Sequence, residues 1–216
     1  MTIASFEETM LINYPCRADK IQNFGLIYPA HHQEGEEEDW HGASYGTKDL
    51  LQVYPDAHPV IKGIFKLAPE NEIKCFPILF RAPLKTWHKH RCLLIGDAAH
   101  PMVPHQAQGG AMAFEDAEAL AAVLACMRDL EPPELKRSLE VFEKVRVPRA
   151  SAMQILSSVP MEHSAKVVDK ARPYIEDKIP LGNSVDVTKW AFIYDVLDES
   201  EAVLLREYLE EVSEVS

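Results

Sequence analysis

The chain has 216 residues, 47% of them hydrophobic, which supplies a packed core and excludes a disordered protein. Its 22 basic residues are outnumbered by 34 acidic ones, for a net charge of -12, with acid gathered at residues 34–39 and from Asp195 onward. Nucleic acid is excluded as a partner, because phosphate binding draws on clustered Lys and Arg.

Residues 9–14 and 23–28 are short apolar runs separated by a polar stretch from Pro15 to Lys20, the pattern of two neighbouring strands or a hairpin. Residues 31–46 are acidic, contain His and Gly, and have no periodicity, so a surface loop is expected. Between residues 47 and 67, Leu50, Leu51, Val53, Val60, Ile61, Ile64, Phe65 and Leu67 fit two short amphipathic helices broken near Pro55 and Pro59. Residues 72–80 return to a strand pattern, and 85–91 read as a polar connector.

Cys92, Leu93, Leu94 and Ile95 form a continuous apolar run ended by Gly96, which predicts a strand buried on both faces. A loop rich in Pro and Gly follows at 101–110. Residues 111–127 are dominated by Ala, Leu, Met and Glu and predict a helix. Pro132 and Pro133 end that segment and open the next helix, where Leu135, Leu139, Phe142 and Val145 mark one buried face over residues 134–147. From Ala150 the pattern is helical with breaks at Pro160, Pro173 and Pro180. Trp190, Phe192, Ile193, Tyr194 and Leu197 make an aromatic and aliphatic cluster expected to pack back onto the body.

The four cysteines, Cys16, Cys75, Cys92 and Cys126, form no C-x-x-C pair, so neither a zinc site nor a disulfide framework is expected and a reducing compartment is the simpler reading. His88, His90, His100 and His105 fit no usual ligand spacing, and no metal is expected. The first residues hold no basic segment followed by an apolar one, and no run approaches the ~20 apolar residues that span a bilayer. The expected location is the cytoplasm, away from membranes.

The chemistry is concentrated in residues 93–120, LLIGDAAHPMVPHQAQGGAMAFEDAEAL. A strand ending at Gly96 and Asp97 presents a close-approach backbone position and a carboxylate able to accept hydrogen bonds from a polyol. The helix opening near Gly109 and Gly110 exposes unpaired N–H groups and a positive dipole end, which favour negative charge. A flat ring with a polyol chain and an electron-rich edge suits this set. Glu115 and Asp116, adjacent on the helix and pointing different ways, are expected to cap or pair rather than to act together as acid and base.

This segment resembles the G-D-A-A-H-P signature of the FAD-dependent aromatic hydroxylases, particularly the salicylate-hydroxylase-like monooxygenases. Gln108, Gly109 and Gly110 stand where that family has Q-G and a small residue, and Glu115-Asp116-Ala117 where it has E-D-A. Residues 142–150, FEKVRVPRA, are similar to its R-x-P-R helix. NYPCR, NFG, PLKTW and the tail KWAFIYD also fit, so the resemblance covers almost the whole chain.

The resemblance implies a partial aromatic-hydroxylase fold of α/β class with α+β character. Residues 1–90 would be the C-terminal part of the substrate-binding sheet domain, 91–150 the C-terminal part of the FAD-binding domain, and 151–216 a helical tail. Asp97 would contact the ribityl chain of FAD, and Gly109, Gly110 and Ala111 the pyrimidine side of its ring. Pro101, Pro104 and His105 would line the ring on the substrate side. In the family NADH or NADPH reduces the flavin, and one atom of O2 passes to an aromatic, polyketide-like or enolic small molecule.

The family's N-terminal Rossmann βαβ unit with its G-x-G-x-x-G turn has no counterpart here, and no catalytic base can be carried over. A shortened gene model, a truncated paralogue in a biosynthetic cluster, and a half that associates with a separate N-terminal half would each account for that. The expected function is an FAD-dependent monooxygenase, and the alternative is an inactive remnant that binds or assembles.

Overall fold

The computed structural model describes residues 2–6, 9–29, 43–69, 72–175 and 181–215. Its secondary structure is mixed helix and sheet, and every ladder among the described residues is antiparallel. The chain divides into two compact units, Met1–Ile78 and Leu79–Ser216.

In the first unit the expected strand pair forms as β2 (Thr9–Cys16) and β3 (Ile21–Ile27), in register from Met10↔Ile27 to Cys16↔Ile21. A third strand, β1 (Thr2–Phe6), pairs with the other edge of β2 from Thr2↔Asn13 to Phe6↔Thr9. Pro15 lies beyond that register, where its missing N–H deprives no second neighbour. The turn between β2 and β3 places Arg17, Ala18 and Asp19 at φ of 49°, 51° and 65°.

Residues 31–42 of the expected loop at 31–46 lie outside the described residues, and 43–45 are not loop: β4 (Ala43–Tyr45) pairs with β5 (Ile73–Cys75). The strand expected over 72–80 is thus confined to three residues, because Pro77 brings no N–H to a ladder. The two short helices are present as α1 (Thr47–Val53) and α2 (Pro59–Phe65). Asp49 Oδ2 accepts from Gly46 N at 2.7 Å at the start of α1. Pro59 opens α2 rather than breaking a helix, since the first turn needs no donor there.

The second unit begins its regular structure with a small hairpin, β6 (His88–Lys89) and β7 (Cys92–Leu93). The strand expected over 92–95 is corrected here. Only Cys92 and Leu93 are in a ladder, and Leu94 and Ile95 are 40% and 43% exposed instead of buried on both faces. Among the described residues no further strand flanks β7, so one hydrogen bond, Leu94 N to Trp87 O at 2.9 Å, extends the pairing.

Helix α3 (Gly109–Ala125) starts two residues before the expected 111 and buries Met112, Asp116, Ala119 and Val123, a stripe spaced four, three and four apart. Helix α4 (Pro132–Leu156) opens on the Pro pair and runs past the expected end at 147, straight through Pro148. Its second half is continuously buried from Arg149 to Leu156, and tertiary packing outweighs the hydrogen bond lost at Pro148. After α5 (Val168–Ala171), helix α6 (Ser184–Ile193) is capped by Asn183, whose Oδ1 accepts from Val185 N at 2.9 Å and Asp186 N at 3.1 Å. The last helix, α7 (Val196–Val215), takes the same device from Asp195.

One core gathers Trp87, Ala119, Val123, Phe142, Val145 and Val203 between α3, α4 and α7. A second joins Leu156, Val167, Ala171, Leu181 and Val187, with Trp190 against it. The tail cluster packs only in part. Trp190 and Tyr194 are half-buried, whereas Phe192 and Ile193 are 73% and 77% exposed.

Candidate functional site

Gly96 adopts φ of +57°, a left-handed conformation that costs a residue with a Cβ roughly 1–2 kcal/mol. It bends the chain into a short 3-10 turn in which Ala99 N and His100 N both donate to Gly96 O at 2.9 Å. Asp97 is carried on the outside of this turn. Its side chain is exposed, with no hydrogen-bond or ion-pair partner among the described residues. Arg81 braces the turn from behind, its Nη2 donating to Ala98 O at 3.0 Å and Ala99 O at 2.7 Å.

Helix α3 begins beside that carboxylate: a methyl carbon placed on Gly109 would stand 4.0 Å from Asp97 Oδ1. Met112 N closes the first helical bond, to Gln108 O at 2.9 Å. The amides of Gly109, Gly110 and Ala111 therefore have no partner inside the helix. Neither a side-chain cap on Gln108 nor an acidic residue in the first turn occupies this end. A methyl on Gly110 would meet nothing within 4 Å, so the side of the first turn at Gly110 is open.

Between the turn and the helix, Pro101 is half-buried and Pro104 exposed, and Pro104 opens a second 3-10 turn with His105. Burial pushes the His105 imidazole below its ordinary value against the pull of Glu162, and its Nδ1 is buried without a hydrogen bond. The structure thus brings Asp97 to Gly109 and leaves Pro101, Pro104 and His105 on the connecting segment. An open groove of 380 Å³ lined by Lys85, Glu140, Glu143, Lys144, Val147 and Pro148 does not include any of these residues.

The frame beneath is a charged network sealed in the core. Asp116 Oδ2 accepts from Gly96 N at 2.8 Å and from His100 Nε2 at 2.7 Å, while Oδ1 accepts from Arg146 Nε at 2.9 Å. Arg146 Nη1 continues to Glu115 Oε2 at 2.7 Å, and Arg149 Nη2 to Glu115 Oε1 at 3.0 Å. Glu115 and Asp116 do pair, but the expectation that they point apart is corrected: both carboxylates turn to the same arginine. Burial alone would raise the Asp116 carboxyl. The His100 hydrogen bond, the Arg146 charge and the Gly96 amide outweigh it and hold Asp116 below the usual range.

Comparison with known proteins shows what the chain is similar to. Residues 78–155 match the family described as "FAD binding domain". The chain is 35% identical over 202 residues to the FAD-dependent monooxygenase cfoG of Aspergillus candidus, covering 91% of this chain and 44% of that one. It is 36% identical over 194 residues to the FAD-dependent monooxygenase phomE of Diaporthe leptostromiformis, covering 90% of this chain and 49% of that one. Over nine-tenths of its length the chain is similar to FAD-dependent monooxygenases. Its fold matches a salicylate hydroxylase solved with substrate at a TM-score of 0.65 and 24% identity, over 93% of this chain and 48% of that one. The chain spans less than half the length of these relatives.

FAD is named in the matched domain and in these relatives, and the residues present fit part of it. An unpaired carboxylate faces outward beside three amides that no side chain caps, the donor and acceptor set of a polyol joined to an electron-rich ring edge. Among the described residues no His, Cys, Asp and Glu cluster has metal-holding geometry. From the sequence, Asp116 was expected only to cap or pair, and His100, Arg146 and Arg149 were given no part in the site. A signal was available, since Asp116 interrupts the apolar stripe Met112–Ala119–Val123, and Arg146 and Arg149 interrupt the buried face of α4.

Proposed function

We propose that this chain is the part of a cytoplasmic FAD-dependent monooxygenase that holds the ribityl chain and ring of the flavin. The enzyme hydroxylates an aromatic, polyketide-like or enolic small molecule, in secondary metabolism or aromatic degradation. Bound FAD supplies the redox chemistry, taking electrons from NADH or NADPH and delivering one atom of O2. The chain's own groups position it. Asp97 accepts hydrogen bonds from ribityl hydroxyls, and the N–H groups of Gly109, Gly110 and Ala111 donate to the pyrimidine edge, with the dipole of α3 favouring negative charge there. Pro101, Pro104 and His105 border the ring on the substrate side and keep water from it.

On this reading residues 1–90 belong to the substrate-binding sheet domain, 91–150 to the FAD-binding domain and 151–216 to a helical tail. The exposed Leu94, Ile95 and Phe114 are the face met by an N-terminal dinucleotide-binding half, whether on the same polypeptide or another. The observation that carries the reading is the free Asp97 carboxylate beside the uncapped start of α3.

A second reading, a catalytically inactive protein that binds or assembles, draws on the same exposure. Leu94 and Ile95 are solvated, and the 380 Å³ groove lies among other residues. Titrating the purified full chain with FAD and with riboflavin, followed by flavin fluorescence, separates the two. Saturable binding weakened by Asp97→Asn is expected for the enzyme part. A chain that takes up neither flavin belongs to the second reading.

A further inference from the structure

The mechanism above uses Asp97 and the amides of α3 but leaves the buried carboxylate of Asp116 without a task. Its geometry is specific. Both groups that reach Asp116 Oδ2 come from the turn that carries Asp97: the Gly96 amide at one end, at 2.8 Å, and the His100 ring at the other, at 2.7 Å. Asp116 itself lies seven residues into α3 from Gly109, roughly 10 Å along the axis. One rigid helix therefore carries the ring-facing amides at its tip and the clamp on the Asp97 turn two turns further in.

We propose that Asp116 is a positioning residue for flavin: by tying both ends of the turn at 96–100 to α3, it fixes the spacing between the Asp97 carboxylate and the Gly109–Ala111 amides. Arg146 takes the other oxygen, Oδ1, at 2.9 Å, so the carboxylate cannot rotate away from the turn. A ligand held at both ribityl chain and ring edge then meets donors and acceptor already at the right separation, and the ordering is not paid for on binding. The inference rests on the flavin reading proposed above and goes beyond it in assigning a residue that touches no ligand.

The test uses the full chain and riboflavin, which contains only the ring and the ribityl chain. His100→Phe keeps a ring beside Trp87, whose centroid is 5.1 Å from that of His100, leaves the Arg146 pair in place, and removes one of the two donors. Its riboflavin Kd should rise about three- to tenfold, the loss of one clamp hydrogen bond of roughly 1 kcal/mol. His100→Gln restores a donor and should recover most of that loss. The amides of Ala99 and His100, or of its replacement, should exchange hydrogen faster in His100→Phe while the core of α4 does not.

In Asp97→Asn, adding His100→Phe should cost little more, because there is no longer a carboxylate to position. If His100→Phe melts earlier yet binds riboflavin as tightly as the unmodified chain, or if the two losses simply add, the positioning role is overturned. If the unmodified chain does not bind riboflavin, or Asp97→Asn binds it equally well, the flavin reading itself fails and the inference falls with it. That outcome is distinct from a failure of His100→Phe alone.

Discussion

Arg146 and Asp116 form an ion pair in which neither side chain has any exposure to solvent. A pair of this kind gains little over a well-packed apolar one, but breaking it leaves a bare charge in the core. Arg146→Met should therefore destabilise the chain by about 3–5 kcal/mol, a large fraction of the stability of an ordinary domain. Urea unfolding measures it. The double variant Arg146→Met with Asp116→Asn should cost clearly less than the two single losses added, since each removes the other's unpaired charge. A loss below ~1 kcal/mol in Arg146→Met would mean water reaches the site and the pair is not sealed.

Acid should weaken the fold in two separate windows. Both His105 and Asp116 are held below their ordinary values of 6.5 and 3.8, so the unfolded chain takes up each proton at a higher pH than the folded one. Their contributions are complete above the unfolded values and are lost as pH falls through the folded ones. The His105 contribution fades below 6.5 and the Asp116 contribution below 3.8. Urea midpoints measured from pH 8 to pH 3 should fall in both ranges, and His105→Gln should remove the upper one only. A midpoint that rises on acidification through the upper range contradicts the burial of His105.

Much of this was legible in the sequence wherever a local signal matched its tertiary setting. The Pro pair at 132 and 133 opens α4 as its chemistry requires, and the apolar runs at 9–14 and 23–28 pair as a hairpin. The helix after Gly109 was legible as well. Two kinds of feature were not. Leu94 and Ile95 have the composition of a doubly buried strand, but burial depends on neighbours, and a run of apolar residues does not say whether those neighbours are present. The helix expected to end at 147 runs on through Pro148 as α4, because buried contacts on both sides of that proline outweigh one missing hydrogen bond. In the site, a helix opening at Gly109 and Gly110 after the Asp97 segment was legible as geometry. The convergence of Glu115 and Asp116 on Arg146 was not, since neighbouring residues on a helix diverge at the backbone and long side chains bring them back together.

Arg149 ties the tail to the site and does so through its planar shape. It pairs with Glu115, donates to Trp190 O at 3.3 Å and Ala191 O at 2.8 Å, and stacks 4.4 Å from the Trp190 ring and 4.3 Å from the Tyr194 ring. Lysine keeps the charge but cannot form the fork or the stack. Arg149→Lys should cost about 2–3 kcal/mol, the worth of one or two charged hydrogen bonds with their stacking. Limited proteolysis should then cut the end of α6 before the rest of the second unit. Cleavage spread evenly over the unit would show that the tail is not held at this point.

Gly110→Ala separates fold from function at a single position. The residue is helical, exposed, and has nothing within 4 Å of where a methyl would be, so the fold has no steric objection to the change. Alanine restricts the unfolded chain and favours the helix, and the variant should be more stable by about 0.4–1 kcal/mol. On the flavin reading proposed above the ring lies against this first turn, so riboflavin affinity should drop even as the melting temperature rises. Opposite movements of stability and affinity are what a binding surface kept bare at the expense of the helix would produce. Improvement of both would mean the space above Gly110 is ordinary solvent, and the ring would have to be placed elsewhere.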